Sequence, residues 1–127
     1  MTSDELQSIV ASIGSEDISD LRDRAIILTI FSTGLRVSEL TALDIKYVNL
    51  DTMEFAILGK GRKVRVVYLT EWACEAIRAY LEKREDHFPP LFLKHGKHFP
   101  VDAGADEVRF DRFLVTKMVA DRALKAG

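Results

Sequence analysis

Residues 32–40 read STGLRVSEL, and the reading of this stretch decides the fold. It follows an apolar run from Ala25 to Phe31 that only Thr29 interrupts. Such a run, apolar nearly all round, marks a helix buried on several sides. Gly34 stands where that helix must stop, because glycine takes the left-handed conformation at little steric cost. Arg36 follows two residues later and Glu39 three after that. A third, short helix over Val37–Leu43 therefore opens beside an arginine. The pair reads either as a surface ion pair or as a phosphate grip. Helix starts carry unpaired N–H groups and favour anions, and a guanidinium fork holds two phosphate oxygens at once.

Working outward, the buried helix spans about Leu21 to Thr33, capped by Ser19 or Asp20. A shorter helix precedes it, capped by Ser3 or Asp4, with Leu6, Ile9, Val10 and Ile13 at helical spacing. Gly14 and Ser15 break it. Downstream, Met53–Leu58 and Lys63–Leu69 are rich in β-formers, and the five residues GKGRK between their cores predict a β-hairpin. Thr70 caps a fourth helix over Glu71–Arg84, with Ala73, Ala76, Ile77, Tyr80 and Leu81 along one face. Pro89 and Pro90 end that region, and Leu91–Lys94 reads as a short extended piece. A last helix is expected over Asp106–Lys125, with Leu114, Val115, Met118 and Val119 facing inward. The predicted class is α+β, mostly helical, with helices packed against a small antiparallel β-hairpin or sheet. Residues 1–127 form one unit without repeats or linkers.

Composition narrows the function. With 47% hydrophobic residues the chain builds a core and is not a disordered tail. No apolar run reaches the roughly 18 residues of a membrane helix, and the acidic start MTSDELQS is no secretory signal. One cysteine, Cys74, excludes an internal disulfide, and no Cys/His spacing suits a metal cluster. A cytoplasmic home is expected, with no metal, no small-molecule cofactor and no membrane partner. The net charge of −2 argues against a generic nucleic-acid binder, but the charge is uneven. Residues 1–51 hold four basic and nine acidic side chains, whereas Phe55–Thr70 hold four basic and none acidic.

Those four are Lys60, Arg62, Lys63 and Arg65. Lys60 sits between two glycines at the hairpin tip, where the backbone can approach a ligand and an ammonium can protonate a leaving oxygen. A solvated turn lysine is the plainer alternative, and GKG lacks the spacing of a phosphate-binding P-loop. Arg62, Lys63 and Arg65 make a basic ribbon of the kind that meets a DNA groove and its phosphates, or else an ordinary charged strand face. The histidines His87, His95 and His98 read as loop residues. Tyr47, Tyr68 and Tyr80 are expected in the core, with Trp72 and Cys74 as packing residues.

Taken together, RDRAIILTIFSTGLRVSELTALDIKYVNL (22–50), AILGKGRKVRVVYL (56–69) and the helix ending YLEKRED (80–86) resemble the catalytic domain of tyrosine recombinases, the phage-integrase and Xer-type family. The resemblance implies that Arg36 is the first catalytic arginine, Glu39 its supporting acid and Lys60 the catalytic lysine. Their separation, 24 residues from 36 to 60, suits the family. It further implies double-stranded DNA and other recombinase protomers as partners. The implied reaction is a transesterification in which a tyrosine attacks a phosphodiester, forms a 3′-phosphotyrosyl bond and frees a 5′-hydroxyl. Because the phosphotyrosyl bond keeps the bond energy, no nucleotide cofactor is needed.

The family's second box, a histidine followed three residues later by an arginine, has no counterpart in these 127 residues. The expectation is the front part of a DNA breaking-rejoining domain. The amino-terminal core-binding domain and the carboxyl-terminal part with the box and the nucleophilic tyrosine are absent, and the chain alone is expected to be inactive. The alternative is a non-catalytic DNA-binding or recombinase-interacting module of the same fold.

Overall fold

The computed structural model describes residues 2–127, except that the side chain of Lys60 lies outside what is described. Among the described residues, six α-helices and three strands follow one another, besides two single 3-10 turns at Ile45–Tyr47 and Lys60–Arg62: α1 (Ser3–Ser12), α2 (Ile18–Thr33), α3 (Val37–Thr41), β1 (Val48–Asn49), β2 (Glu54–Leu58), β3 (Val64–Tyr68), α4 (Glu71–Lys83), α5 (Ala105–Val108) and α6 (Arg112–Lys125). Helices wrap α2, and the strands form one antiparallel sheet in the order β1-β2-β3. The predicted mixed, mostly helical class is what the chain adopts.

α2 is the axis of the core. Ala25, Ile26, Ile27 and Leu28 are all within 2% of full burial. α4 lies along it, burying Ala73, Cys74, Ala76, Ile77 and Tyr80 on one face. Each large apolar side chain so buried stabilises the fold by about 1.5–3 kcal/mol. From the sheet, Phe55 and Ile57 point into the same core, while Leu58, Val64, Val66 and Tyr68 stand on the outer face in solvent.

Capping fixes the helix starts, and two of the caps lie one residue or more ahead of the expected positions. Thr2 rather than Ser3 or Asp4 caps α1, accepting from the Glu5 N–H. Asp17 rather than Ser19 or Asp20 caps α2, accepting from the Ser19 N–H at 2.7 Å. Thr70 caps α4 as expected.

The last helix differs more. The expected Asp106–Lys125 helix is two helices, α5 and α6, separated by Arg109-Phe110-Asp111. The break has long-range causes. Leu93 bridges Arg109, and the Phe110 N–H donates to the Phe92 carbonyl at 3.0 Å. Asp111 then caps α6 through the Leu114 N–H. The extended piece predicted at Leu91–Lys94 is thus the partner that interrupts the helix. Its neighbour Pro90 bridges Asp44.

Three aromatic residues depart from the expected core positions. Tyr68 and Tyr47 are 68% and 43% exposed, on or beside the outer sheet face, and Trp72 is 41% exposed on α4. Tyr80 and Cys74 are buried as expected.

A polar knot underlies the start of α2. Arg22 and Asp23 are buried, and Arg22 lies over the Phe110 ring at 3.9 Å. Arg122 of α6 reaches both Asp20 and Asp23, at 2.6 and 2.9 Å. Removing one partner of such a buried set leaves an uncompensated charge, which typically costs ~3 kcal/mol or more.

Candidate nucleic-acid interface

The site is built on the turn between α2 and α3. Gly34 has φ +69°, and its N–H donates to the Ile30 carbonyl at 2.9 Å. No atom lies within 4 Å of where a Cβ would stand, so the glycine serves the backbone conformation alone. Thr33 locks the turn twice: its hydroxyl donates to the Thr29 carbonyl and accepts from the Leu35 N–H. Leu35 is buried, which pins the chain immediately before Arg36. Arg36 takes the N-cap position of α3 with extended backbone, φ −69° and ψ 146°. Its guanidinium is exposed and has no hydrogen-bond or ion-pair partner among the described residues.

Glu39 does not hold that guanidinium. One carboxylate oxygen accepts from the Arg36 main-chain N–H at 3.1 Å, and the other accepts from Arg65 Nη2 at 3.0 Å. The expectation of Glu39 as support for Arg36 therefore takes another form. Arg36 caps the helix, so its side chain is not on the helical face shared by residues three apart. Glu39 fixes the backbone of Arg36 instead and binds the hairpin to it. Arg65 can reach Glu39 because it lies opposite Ile57 in the β2–β3 register, on the inward face of the sheet. One carboxylate thus ties two of the predicted cationic positions, Arg36 and Arg65, into one region of the surface.

The hairpin tip falls where the sequence predicts it. As expected, the five residues Gly59–Lys63 separate the strands, and within them the Gly59 N–H donates to the Lys63 carbonyl at 2.8 Å, which closes the turn around Lys60–Arg62. Gly61 and Arg62 both take left-handed conformations, φ +71° and +62°. A left-handed conformation at a non-glycine residue costs about 1 kcal/mol. Arg62 and Lys63 project into solvent without ion-pair partners among the described residues. The Lys60 backbone opens the loop, while its side chain is outside the described residues.

Arg109 is a supporting residue that the sequence did not reveal. Its guanidinium donates to the Thr41 carbonyl at 2.9 Å and the Leu43 carbonyl at 3.3 Å, and pairs with Asp44 at 3.0 Å. Thr41 is the last residue of α3 and Leu43 follows its C-cap, so the guanidinium sits at the helix end where the dipole favours a cation. Arg109 thereby anchors the far end of the helix whose start carries Arg36. Reading Asp111 as a helix cap would have exposed the break that frees Arg109 for this contact.

Of the histidines, His95 is more than a loop residue. Tyr80 Oη accepts the Leu93 N–H at 3.1 Å and lies 2.8 Å from His95 Nε2. The hydroxyl proton is then free to be donated to Nε2, which leaves the imidazole neutral. Burial, reinforced by Arg22 and Arg84, lowers the His95 pKa to about 4, and burial pushes Tyr80 up to about 12. Tyr80 is buried and protonated, hence a structural hydroxyl and not a poised nucleophile.

A model of the phage integrase family matches residues 1–118. The chain belongs to the phage integrase family. Among its relatives, tyrosine recombinase XerC of Pelobacter propionicus is 43% identical over 92 residues, covering 71% of this chain and 30% of the relative. XerC of Haemophilus influenzae (strain 86-028NP) is 40% identical over 84 residues, covering 66% and 28%. The chain thus spans less than a third of the length of these relatives. Among solved structures, XerA recombinase superposes with a TM-score of 0.77 at 27% identity, over all of this chain and 42% of that one. The Tn1549 transposon integrase, solved with circular intermediate DNA, shares the fold with a TM-score of 0.66 at 19% identity, over 98% of this chain and 43% of the other. As a phage integrase family chain it carries the tyrosine-recombinase fold that the two motifs implied.

Proposed function

We propose that the 127 residues are the front part of a DNA breaking-rejoining catalytic domain in a site-specific tyrosine recombinase. On this reading Arg36 binds the nonbridging oxygens of the scissile phosphate. Lys60 protonates the leaving 5′-oxygen as the tyrosine oxygen bonds to phosphorus. Arg62, Lys63 and Arg65 bind flanking phosphates of double-stranded DNA. Glu39 holds the Arg36 backbone and orients Arg65. The single observation that supports this best is the Glu39 carboxylate, which accepts from both the Arg36 N–H and the Arg65 guanidinium. It draws the helix-start arginine and the basic hairpin toward one patch, although they lie far apart in sequence. The unpaired Arg36 guanidinium agrees with a ligand that is itself an anion.

The nucleophilic tyrosine and the second phosphate-binding arginine would come from the remainder of the recombinase. Other protomers would complete the strand exchange. The chain alone then binds duplex DNA but does not cut it. The test is fluorescence anisotropy with duplex DNA across a salt series, paired with a nicked substrate that traps covalent adducts. Binding should weaken with salt by a log–log slope of at most about −4, as four cations release counterions. Arg62→Glu with Lys63→Glu should weaken it further, and no adduct should form. Binding indifferent to that double reversal would overturn the assignment of the hairpin. An adduct formed by the chain by itself would overturn the division of labour.

A further inference from the structure

β3 is the free edge of the sheet, since the strand order is β1-β2-β3 and no described element pairs with its outer side. The register shows which groups are left over. Gly59 N–H bonds the Lys63 carbonyl and Leu69 N–H bonds the Met53 carbonyl, in phase with the pairs Ile57–Arg65 and Phe55–Val67. In an antiparallel ladder those alternate pairs exchange the bonds, so residues 63, 65, 67 and 69 turn their main chain toward β2. Val64, Val66 and Tyr68 turn theirs to the open edge. Their side chains stand on the outer face, 66%, 46% and 68% exposed, beside Leu58 at 65%.

Natural edges are normally blunted by charge, proline or a bulge. Here the only charge within β3 is Arg65, and Glu39 holds its guanidinium on the opposite face. The edge is open, apolar on one face and unguarded.

We propose that β3 pairs antiparallel with β3 of a second copy of this chain, about a two-fold axis through Val66. This inference stands on the sheet geometry and not on the DNA reading. In that register Val66 faces Val66, Val64 faces Tyr68, and Arg65 faces Val67. All three outward-turned residues meet outward-turned partners, giving three bonded pairs and six main-chain bonds. The outer faces join as a ladder of Val64 on Tyr68, Val66 on Val66 and Tyr68 on Val64. Sliding so that Val64 faces Val66 sets Arg65 against Arg65, which is unfavourable. Sliding the other way runs the pairing into Thr70, already the cap of α4. The central register also carries Arg62 to Thr70 of the second copy, next to its Glu71, and both charges are exposed. The contact is isologous and closes on itself as a dimer.

The experiment uses the purified chain without DNA. Sedimentation velocity over rising concentration reads the assembly, and amide hydrogen exchange by NMR reads the register. A concentration-dependent dimer is expected, in which the Val64, Val66 and Tyr68 amides become protected as the dimer fills. The Arg65 and Val67 amides should be protected at every concentration. Val66→Lys, which opposes two lysines at the axis, should weaken association about tenfold or more. Val64→Lys is the second variant, should the first fail to fold by circular dichroism, and should weaken it likewise. A monomer up to concentrations on the order of 1 mM would overturn the proposal. So would a dimer whose Val64, Val66 and Tyr68 amides exchange as fast as in the monomer, because its interface lies elsewhere. Association unchanged by a folded lysine variant would overturn it as well.

Discussion

Replacing Arg109 by alanine tests how the interface is held in place. The guanidinium is largely buried, with its side chain 17% exposed, and it meets Asp44, itself 23% exposed. Its loss leaves the Thr41 and Leu43 carbonyls without this donor and the Asp44 carboxylate without its cation. Hydrogen bonds from a charged donor contribute roughly 1.5–3 kcal/mol each, but these share one side chain and do not add. A total of about 3 kcal/mol follows, in the range for breaking a partly buried ion pair. Unfolding entropy of about 2.1 cal/mol/K per residue converts this, over a chain of this length, to a fall in Tm of about 10 °C. Arg109→Lys should recover part of it, since an ammonium can serve only some of the acceptors in that geometry. Calorimetry measures the shift, and amide exchange at Leu40, whose N–H donates to the Arg36 carbonyl, reports whether α3 loosens. A fall smaller than about 2 °C, or an unchanged Leu40 amide, would refute the claim that Arg109 anchors α3.

Three further outcomes are expected. Unfolded His95 takes a proton near pH 6.5 but folded His95 only near 4, so its contribution to stability is present above 6.5 and is lost as pH falls toward 4; thermal melts of the wild type should show a steeper acid decline than those of His95→Gln. Arg62→Gly should stabilise the chain by up to about 1 kcal/mol by relieving a left-handed φ, while weakening DNA binding, as read by melts and anisotropy on the same samples. Glu39→Gln keeps an acceptor for the Arg36 N–H but loses the charge facing an Arg65 side chain that is 59% exposed; stability should change by less than about 1 kcal/mol, and a double-mutant cycle with Arg65→Ala should show coupling that fades with added salt.

Local chemistry made much of this fold legible. An apolar run ending at Gly34 specifies a buried helix and its stop, and the Gly-containing loop between two β-rich runs specifies a hairpin. Thr70 marks its helix because a threonine cap acts within three residues. What escaped was set by distant partners. The α5–α6 break is held by Phe92 and Leu93, which the apolar spacing in 106–125 does not record, although Asp111 as a cap marks where α6 starts. The orientation of Glu39 depends on where β3 delivers Arg65, so spacing along α3 could not reveal it. Tyr68 was misplaced for a different reason. Aromatic character suggested burial, whereas alternation from the inward Val67 puts Tyr68 on the outer face of the sheet.

The polar knot at the start of α2 has a consequence for the order in which the chain folds. Asp23 is bonded both by its neighbour Arg22 and by Arg122, which lies 99 residues further along. During synthesis α2 emerges first, with a helix start that holds two carboxylates against one nearby guanidinium in what will become the interior. That region cannot dehydrate until α6 arrives with its arginine. Closure of so long a loop comes late and slowly, since its entropy must be lost before the ion pairs form. The helix that backs the turn carrying Arg36 should therefore remain wet at its base until the last helix docks. Refolding followed at Arg122 and at the hairpin should show the hairpin forming first and the knot closing in the slowest phase.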